Sequence, residues 1–190
     1  MSDNESAREL IPVAAVRFGQ AVHQVPSDKW NTGTPCSEWS VRDLVNHVAG
    51  EHLWVPPLLD GKTVEQVGDQ FDGDVLGDDP VAVWDTAIEA SVNAFASVSD
   101  QDQVHLSFGT FPVDEYANQM LVDLTVHAWD LARGAGVEER LEPSTVEASL
   151  AYARLRFEEY SGSGMFGTPV EIDSEDPQET LLALLGRDPR

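Results

Sequence analysis

The stretch from Tyr116 to Gly134, YANQMLVDLTVHAWDLARG, constrains the fold more than any other part of the chain. Its apolar residues recur at helical spacing, so it reads as a helix with most of its circumference buried. Among them stand Asp123, His127 and Asp130, at positions i, i+4 and i+7, which share one helix face. With Asp123 at 0°, His127 falls at about 40° and Asp130 at about −20°, flanked by Met120, Leu131, Val126 and Val122. The acid/histidine group therefore sits inside the apolar arc, where an ionised carboxylate needs a partner. The stretch brings no positive charge to that face, so a metal ion is the natural candidate. A buried imidazolium–carboxylate pair, which needs no metal, is the alternative.

The rest of the chain reads as further helices around this one. Apolar residues at helical spacing run from about Glu5 to Val25, with Pro12 tolerable as a first-turn residue or a kink. Pro26 to Cys36 is a connector rich in Pro, Gly, Thr and Asn. Ser40 with Asp43 three residues on marks a capped helix start, with Trp39 as a staple residue, and that helix is expected to run until Pro56-Pro57 disrupts it. On it His47, Glu51, Trp54 and Leu58 share a face, while His52 points about 140° away from His47. Asp60 to Pro80 reads as a long loop, Pro80 to Val98 as a helix, Val104 to Phe108 as a short β-like segment, and Phe108 to Pro112 as a turn that sets up a hairpin or an extended crossover. Pro143 to Tyr160 is again helical, Ser161-Gly-Ser-Gly is a linker without the lysine of a phosphate loop, and a short helix closes the chain. The expected fold is all-α, a helical bundle forming a single domain over residues 1–190, with at most a minor β segment.

Bundles build metal sites from inward-facing side chains on neighbouring helices. Two helices here each bring one histidine to an apolar face, His47 and His127, and Asp123 completes a set of two imidazoles and a carboxylate. Such a set suits zinc, nickel or iron(II) with positions left open. Glu51, one turn past His47, is the candidate general base, with a fourth-ligand role as its rival. Asp130 is placed to orient His127, and Trp54 and Trp129 are candidates to line a cofactor pocket. Cys36, beside Pro35 before a helix start, reads as a small buried residue rather than a nucleophile.

Composition excludes several classes. Lys and Arg number 11 against 34 Asp and Glu, a formal net charge of −23, which repels phosphate backbones and anionic bilayers. Neither nucleic acid nor membrane is expected as a partner. One cysteine permits no intrachain disulfide and no cysteine zinc cluster. The polar, acidic start MSDNESARE is unlike a signal peptide, and a cytoplasmic location is expected.

Three segments, TPCSEWSVRDLVNHVAGEHLW, VDLTVHAWDLARGAG and the closing LLALLGRDP, resemble the metal-binding domain of mycothiol-dependent maleylpyruvate isomerases, within the DinB/YfiT-like superfamily. The resemblance implies a DinB/YfiT-like four-helix bundle holding a divalent metal, usually zinc, at His47, Asp123 and His127, with mycothiol as thiol cosubstrate. The isomerase places Glu where this chain has Asp123, and it carries a separate C-terminal domain where this chain has a tail of about 30 residues. The expected function is a thiol transferase or isomerase acting on a small electrophile. A metal-dependent amide hydrolase and a non-catalytic metal-binding or stress-response bundle are the alternatives, and apolar bundle faces leave room for a homodimer.

Overall fold

A computed structural model describes residues 5–160 and 167–190, with side chains through residue 157 and again from 167. The linker expected at Ser161-Gly-Ser-Gly lies outside the described residues. The elements in chain order are α1 (Ala7–Gln24), α2 (Val41–Leu59), α3 (Val64–Val67), α4 (Pro80–Ala96), β1 (Gln103–Leu106), β2 (Gly109–Pro112), α5 (Val113–Ala135), α6 (Pro143–Tyr160) and α7 (Pro177–Leu184). The fold is all-α apart from one antiparallel hairpin, whose register pairs Gln103 with Pro112 and Leu106 with Gly109.

Helix α1 lies along α5 and α2 along α4, and the pairs α2–α5 and α1–α4 close a ring of four. The apolar spacing read from sequence is what fills that ring. Leu10, Ile11, Ala14, Phe18 and Val22 of α1 are buried against Leu121, Leu124, Ala128 and Leu131 of α5, with Val41, Leu44, Val45 and Val48 of α2 in the same core. Phe18 meets Trp84 of α4 with ring centroids 4.5 Å apart. Each such large side chain taken fully out of water contributes about 1.5–3 kcal/mol. Helix α6 packs on α5 and α1, and α7 on α6.

Local signals set the helix starts. Ser40 caps α2 through a reciprocal pair: Asp43 N–H donates to Ser40 Oγ at 3.2 Å and Ser40 N–H to Asp43 Oδ2 at 2.9 Å. The helix does not stop at Pro56-Pro57 as expected but continues to Leu59. Both prolines fall in its last turn, so only two ladder bonds are forfeited, and buried Val55 and Leu58 hold that turn on the core. The Asp60–Pro80 segment contains the short helix α3, and its later part is tied to α2 by Asn46, which accepts from Val75 N–H and donates to Gly73 O.

Helix α5 ends one residue past Gly134, and Gly136 supplies the left-handed cap at φ 71°. Gly134 has another task. A Cβ there would lie 2.9 Å from Thr34 Cγ2 and 3.1 Å from Gly33 O, so its absence lets the connector before α2 lie directly on α5. Thr32 Oγ1 donates to Gly134 O at 3.0 Å, and Thr34 Oγ1 to Trp39 O at 2.9 Å. The connector is thereby folded into a tight loop that presents Cys36 and Trp39 toward α5.

Candidate metal centre

His47 on α2 and Asp123 and His127 on α5 converge as the sequence reading expected. Asp123 Oδ1 lies 3.4 Å from His47 Nε2 and 3.3 Å from His127 Nε2, and one ligand atom from each residue lies within 4.8 Å of the others. These separations exceed the usual N–H···O range of about 2.7–3.2 Å. They match the edge of a tetrahedron around an ion with bonds of about 2.0–2.1 Å, which is about 3.3–3.4 Å. Asp123 Oδ2 is buried without a hydrogen-bond partner, a lone-pair site that a cation satisfies. Although aspartate is a methylene shorter than glutamate, its oxygen still reaches both imidazoles.

Burial works against charge on Asp123, but the imidazoles of His127 and His47 outweigh it and hold the carboxyl well below the carboxylate range. Burial opposes charge on His127 too, yet Asp123 first and Asp130 after it push its pKa well above that of an ordinary histidine. These directions belong to the metal-free protein. They mark a site where two carboxylates face one imidazole and favour positive charge there.

The other face of His127 is also fixed. Its Nδ1 donates to Asp130 Oδ2 at 2.9 Å, so Nε2 is the ring nitrogen turned toward Asp123 and available to a metal in place of its proton. Asp130 is fully buried, so the orienting role read from the i, i+3 spacing is realised. A positive charge does reach this region, from the far end of the chain: Arg187 Nη2 lies 2.9 Å from Asp130 Oδ2. It serves Asp130 and not Asp123. Burial works against the Asp130 carboxylate, while His127 and Arg187 hold its pKa below the ordinary value.

Arg187 enters through the end of α7. Gly186 N–H bonds Ala183 O at 3.1 Å and Arg187 N–H bonds Leu182 O at 2.8 Å, the paired bonds of a Schellman turn. Gly186 takes φ 86°, and a Cβ there would lie 2.7 Å from Gly167 Cα. Only glycine satisfies both conditions. Sequence reasoning missed Arg187 because the contact spans 57 residues; the available signal was a fully buried carboxylate, Asp130, that called for a cation.

A cleft of about 610 Å³ opens onto the three ligands. Pro35 to Trp39 form one wall, and Gly167 with Leu185 to Arg187 form the other. Trp39, read from sequence only as a staple residue, is tilted against His47 at 4.7 Å and His127 at 5.8 Å between ring centroids. Cys36 is partly exposed at the cleft floor, with Sγ 3.3 Å from Asp130 Oδ2. Glu51 sits one turn past His47, 3.9 Å from His47 Nδ1; burial and then Asp123 raise its pKa above that of an ordinary glutamate. The structure does not bring Trp54 and Trp129 to the cleft. Trp54 packs on Phe71 at 5.7 Å, and Trp129 is buried beneath Arg133 at 5.3 Å. His52, which the helical wheel placed away from His47, is fully buried against α4, its Nδ1 2.8 Å from Ser91 Oγ.

The structure is that of a helical protein in which two histidines and a carboxylate that could hold a metal ion line a solvent-open cleft. Residues 12–132 match the family described as the mycothiol maleylpyruvate isomerase N-terminal domain, and the chain belongs to that family. It is similar to two uncharacterised Mycobacterium tuberculosis proteins, one from strain CDC 1551 / Oshkosh and one from strain H37Rv. Each is 29% identical over 178 residues, covering 90% of this chain and 91% of the relative. No solved structure matches the chain. Among the described residues no helix is long and apolar enough to cross a membrane.

Proposed function

We propose that the protein is a cytoplasmic, divalent-metal-dependent enzyme that joins mycothiol to a small electrophile, as a transferase or an isomerase. The observation that carries this reading is Asp123, set at tetrahedral-edge distance from two imidazoles with its second oxygen buried and unpartnered, at the floor of an open cleft. His47, Asp123 and His127 are the ligands, with zinc as the favoured ion and nickel as the alternative. A divalent ion held by these residues supplies the positive charge that keeps a thiol as thiolate near neutral pH.

The chain's own residues do the remainder. Asp130 holds His127 in the tautomer whose Nε2 is free. Glu51, 3.9 Å from His47 Nδ1 though outside the cleft lining, is the base assigned to the thiol proton, which it returns to the product. Trp39 offers an aromatic wall against which the reactants lie. Mycothiol enters this reading from the family, whose description names it. An accessible cleft above the ligands favours turnover over the non-catalytic alternative.

The test begins with metal content per chain in protein purified without chelators, beside His127→Ala. About one equivalent of zinc or nickel, lost in the variant, supports the ligand set. Mycothiol consumption is then followed with small electrophiles. Turnover of thiol conjugates without net thiol consumption moves the assignment to amide hydrolysis, and less than about a tenth of an equivalent of metal in both proteins removes the reading.

A further inference from the structure

His127 belongs to two overlapping ligand sets. Through Nε2 it joins His47 and Asp123; through Nδ1 it faces Asp130 and Cys36, and this second set also lies within 4.8 Å. In the second set Asp130 Oδ2 is 2.9 Å from His127 Nδ1 and 3.3 Å from Cys36 Sγ, with Cys36 Sγ 3.9 Å from His127 Nδ1. A set containing a thiolate is the stronger attractor for zinc and other thiophilic ions. Ligand chemistry alone would therefore draw a metal to the wrong side of His127.

One difference separates the two sides. The sulfur-free set contains a carboxylate oxygen, Asp123 Oδ2, with no hydrogen-bond partner among the described residues, and the groups paired with Asp123 Oδ1 are the imidazoles of His47 and His127. The sulfur-containing set already holds a cation. Arg187 Nη2 lies 2.9 Å from Asp130 Oδ2 and 3.7 Å from Cys36 Sγ, and Arg187 Nε lies 3.3 Å from the same carboxylate oxygen. The guanidinium is not free to leave. Its Nη1 donates to Leu185 O at 2.9 Å, its backbone N–H closes the α7 turn, and its side chain is only 16% exposed.

We propose that Arg187 is the residue that decides which ligand set takes the metal: its guanidinium occupies the cation position between Cys36 and Asp130 and directs the ion to His47, Asp123 and His127. This inference rests on the metal reading above. It makes Arg187 a positioning and specificity residue of the centre, although it lies 55 residues beyond the end of the family match at residue 132. It also gives Cys36 a role outside the metal's ligands, its Sγ bonded to Asp130 Oδ2 at 3.3 Å. Arg187 is always charged, so the block holds across the physiological pH range.

The test uses the full chain loaded with cobalt(II), whose thiolate-to-metal charge-transfer absorption reports sulfur ligation directly. Wild type, R187M, R187K and the double variant R187M/C36S are compared, with far-UV circular dichroism to verify folding. The expected result is no charge-transfer band in wild type or R187K, a band in R187M, and its loss in R187M/C36S. Cadmium, the more thiophilic ion, is expected to bind R187M at least tenfold more tightly than wild type.

An R187M spectrum identical to wild type overturns the proposal and leaves the ligand set standing. A sulfur band in wild type overturns the proposal as well. If wild type takes up no cobalt, the metal reading itself fails. R187M then decides alone, sulfur-ligated uptake supporting a blocking role for Arg187 and no uptake ending it. If R187M does not fold, R187K decides: a charge-transfer band in that variant refutes the view that a positive charge at this position suffices.

Discussion

Helix α2 carries His47 on one face and His52 on another, and the second histidine makes the stability of the fold depend on pH in a calculable way. His52 has no exposed surface, and burial lowers its pKa from 6.5 to about 4. Its folded-state pKa lies below its unfolded one, so the unfolded chain binds the proton first. The stabilising contribution is therefore complete above pH 6.5 and is lost as pH falls from 6.5 to about 4. The full difference, at about 1.4 kcal/mol per pH unit, is about 3 kcal/mol, of which about 2 kcal/mol has gone by pH 5. Urea unfolding of wild type and His52→Gln at pH 8 and pH 5 isolates this contribution, because every other titrating group cancels in the difference. Wild type should lose about 2 kcal/mol relative to the variant between those two pH values. That is about 1 M in midpoint at a slope of about 2 kcal/mol per M. Parallel behaviour of the two proteins across this range would refute the placement of a neutral, buried imidazole at this position.

Three further outcomes follow from the geometry. Asp130→Asn removes the charged acceptor from His127 Nδ1 and is expected to weaken zinc binding by about 10–100-fold, measured by competition with a chelating dye. Gly134→Ala drives a methyl group to 2.9 Å from Thr34 Cγ2 and 3.1 Å from Gly33 O, and is expected to cost about 1–3 kcal/mol in urea unfolding by displacing the connector. Trp39 lies against both histidine rings, so zinc addition should change tryptophan emission in wild type and much less in Trp39→Phe. An equal response in both proteins would place the ion elsewhere.

Helix α5 was legible because its apolar spacing, and the two acids and histidine set within it, are properties of consecutive residues. The same holds for the α2 start, where Ser40 and Asp43 are three positions apart, and for the β-like Val104 to Phe108; the stretch expected as a turn after it is instead the second strand, Gly109–Pro112, paired antiparallel with Gln103–Leu106. What was not legible came from contacts without a local period. Arg187 meets Asp130 only after α6 and α7 have turned the chain back, and nothing in GRDP announces that destination. Trp39 shares the local pattern of a helix staple, and its second role depends on the close approach permitted by Gly134. His52 shows a different failure. The helical wheel gave its direction, but whether that direction meets solvent or another helix depends on α4, whose placement the wheel does not contain. The stop expected at Pro56-Pro57 failed because the rule against interior proline weakens in a last turn that tertiary packing holds.

The loop that Gly134 seats against α5 has a consequence for how such a centre can diversify. The residues proposed to hold the ion stand on α2 and α5, whose register is locked by the core, whereas the facing walls of the cleft come from the 35–39 loop and the turn after α7. In that reading the ion-holding residues and the 35–39 wall are encoded in separable stretches, and Arg187 in the turn after α7 serves both. Substitutions at Ser37 or Glu38 can reshape or recharge the opening without disturbing a ligand bond. A lineage built on this plan is free to explore new electrophiles by surface changes alone, keeping its inorganic chemistry constant while its chemical repertoire drifts.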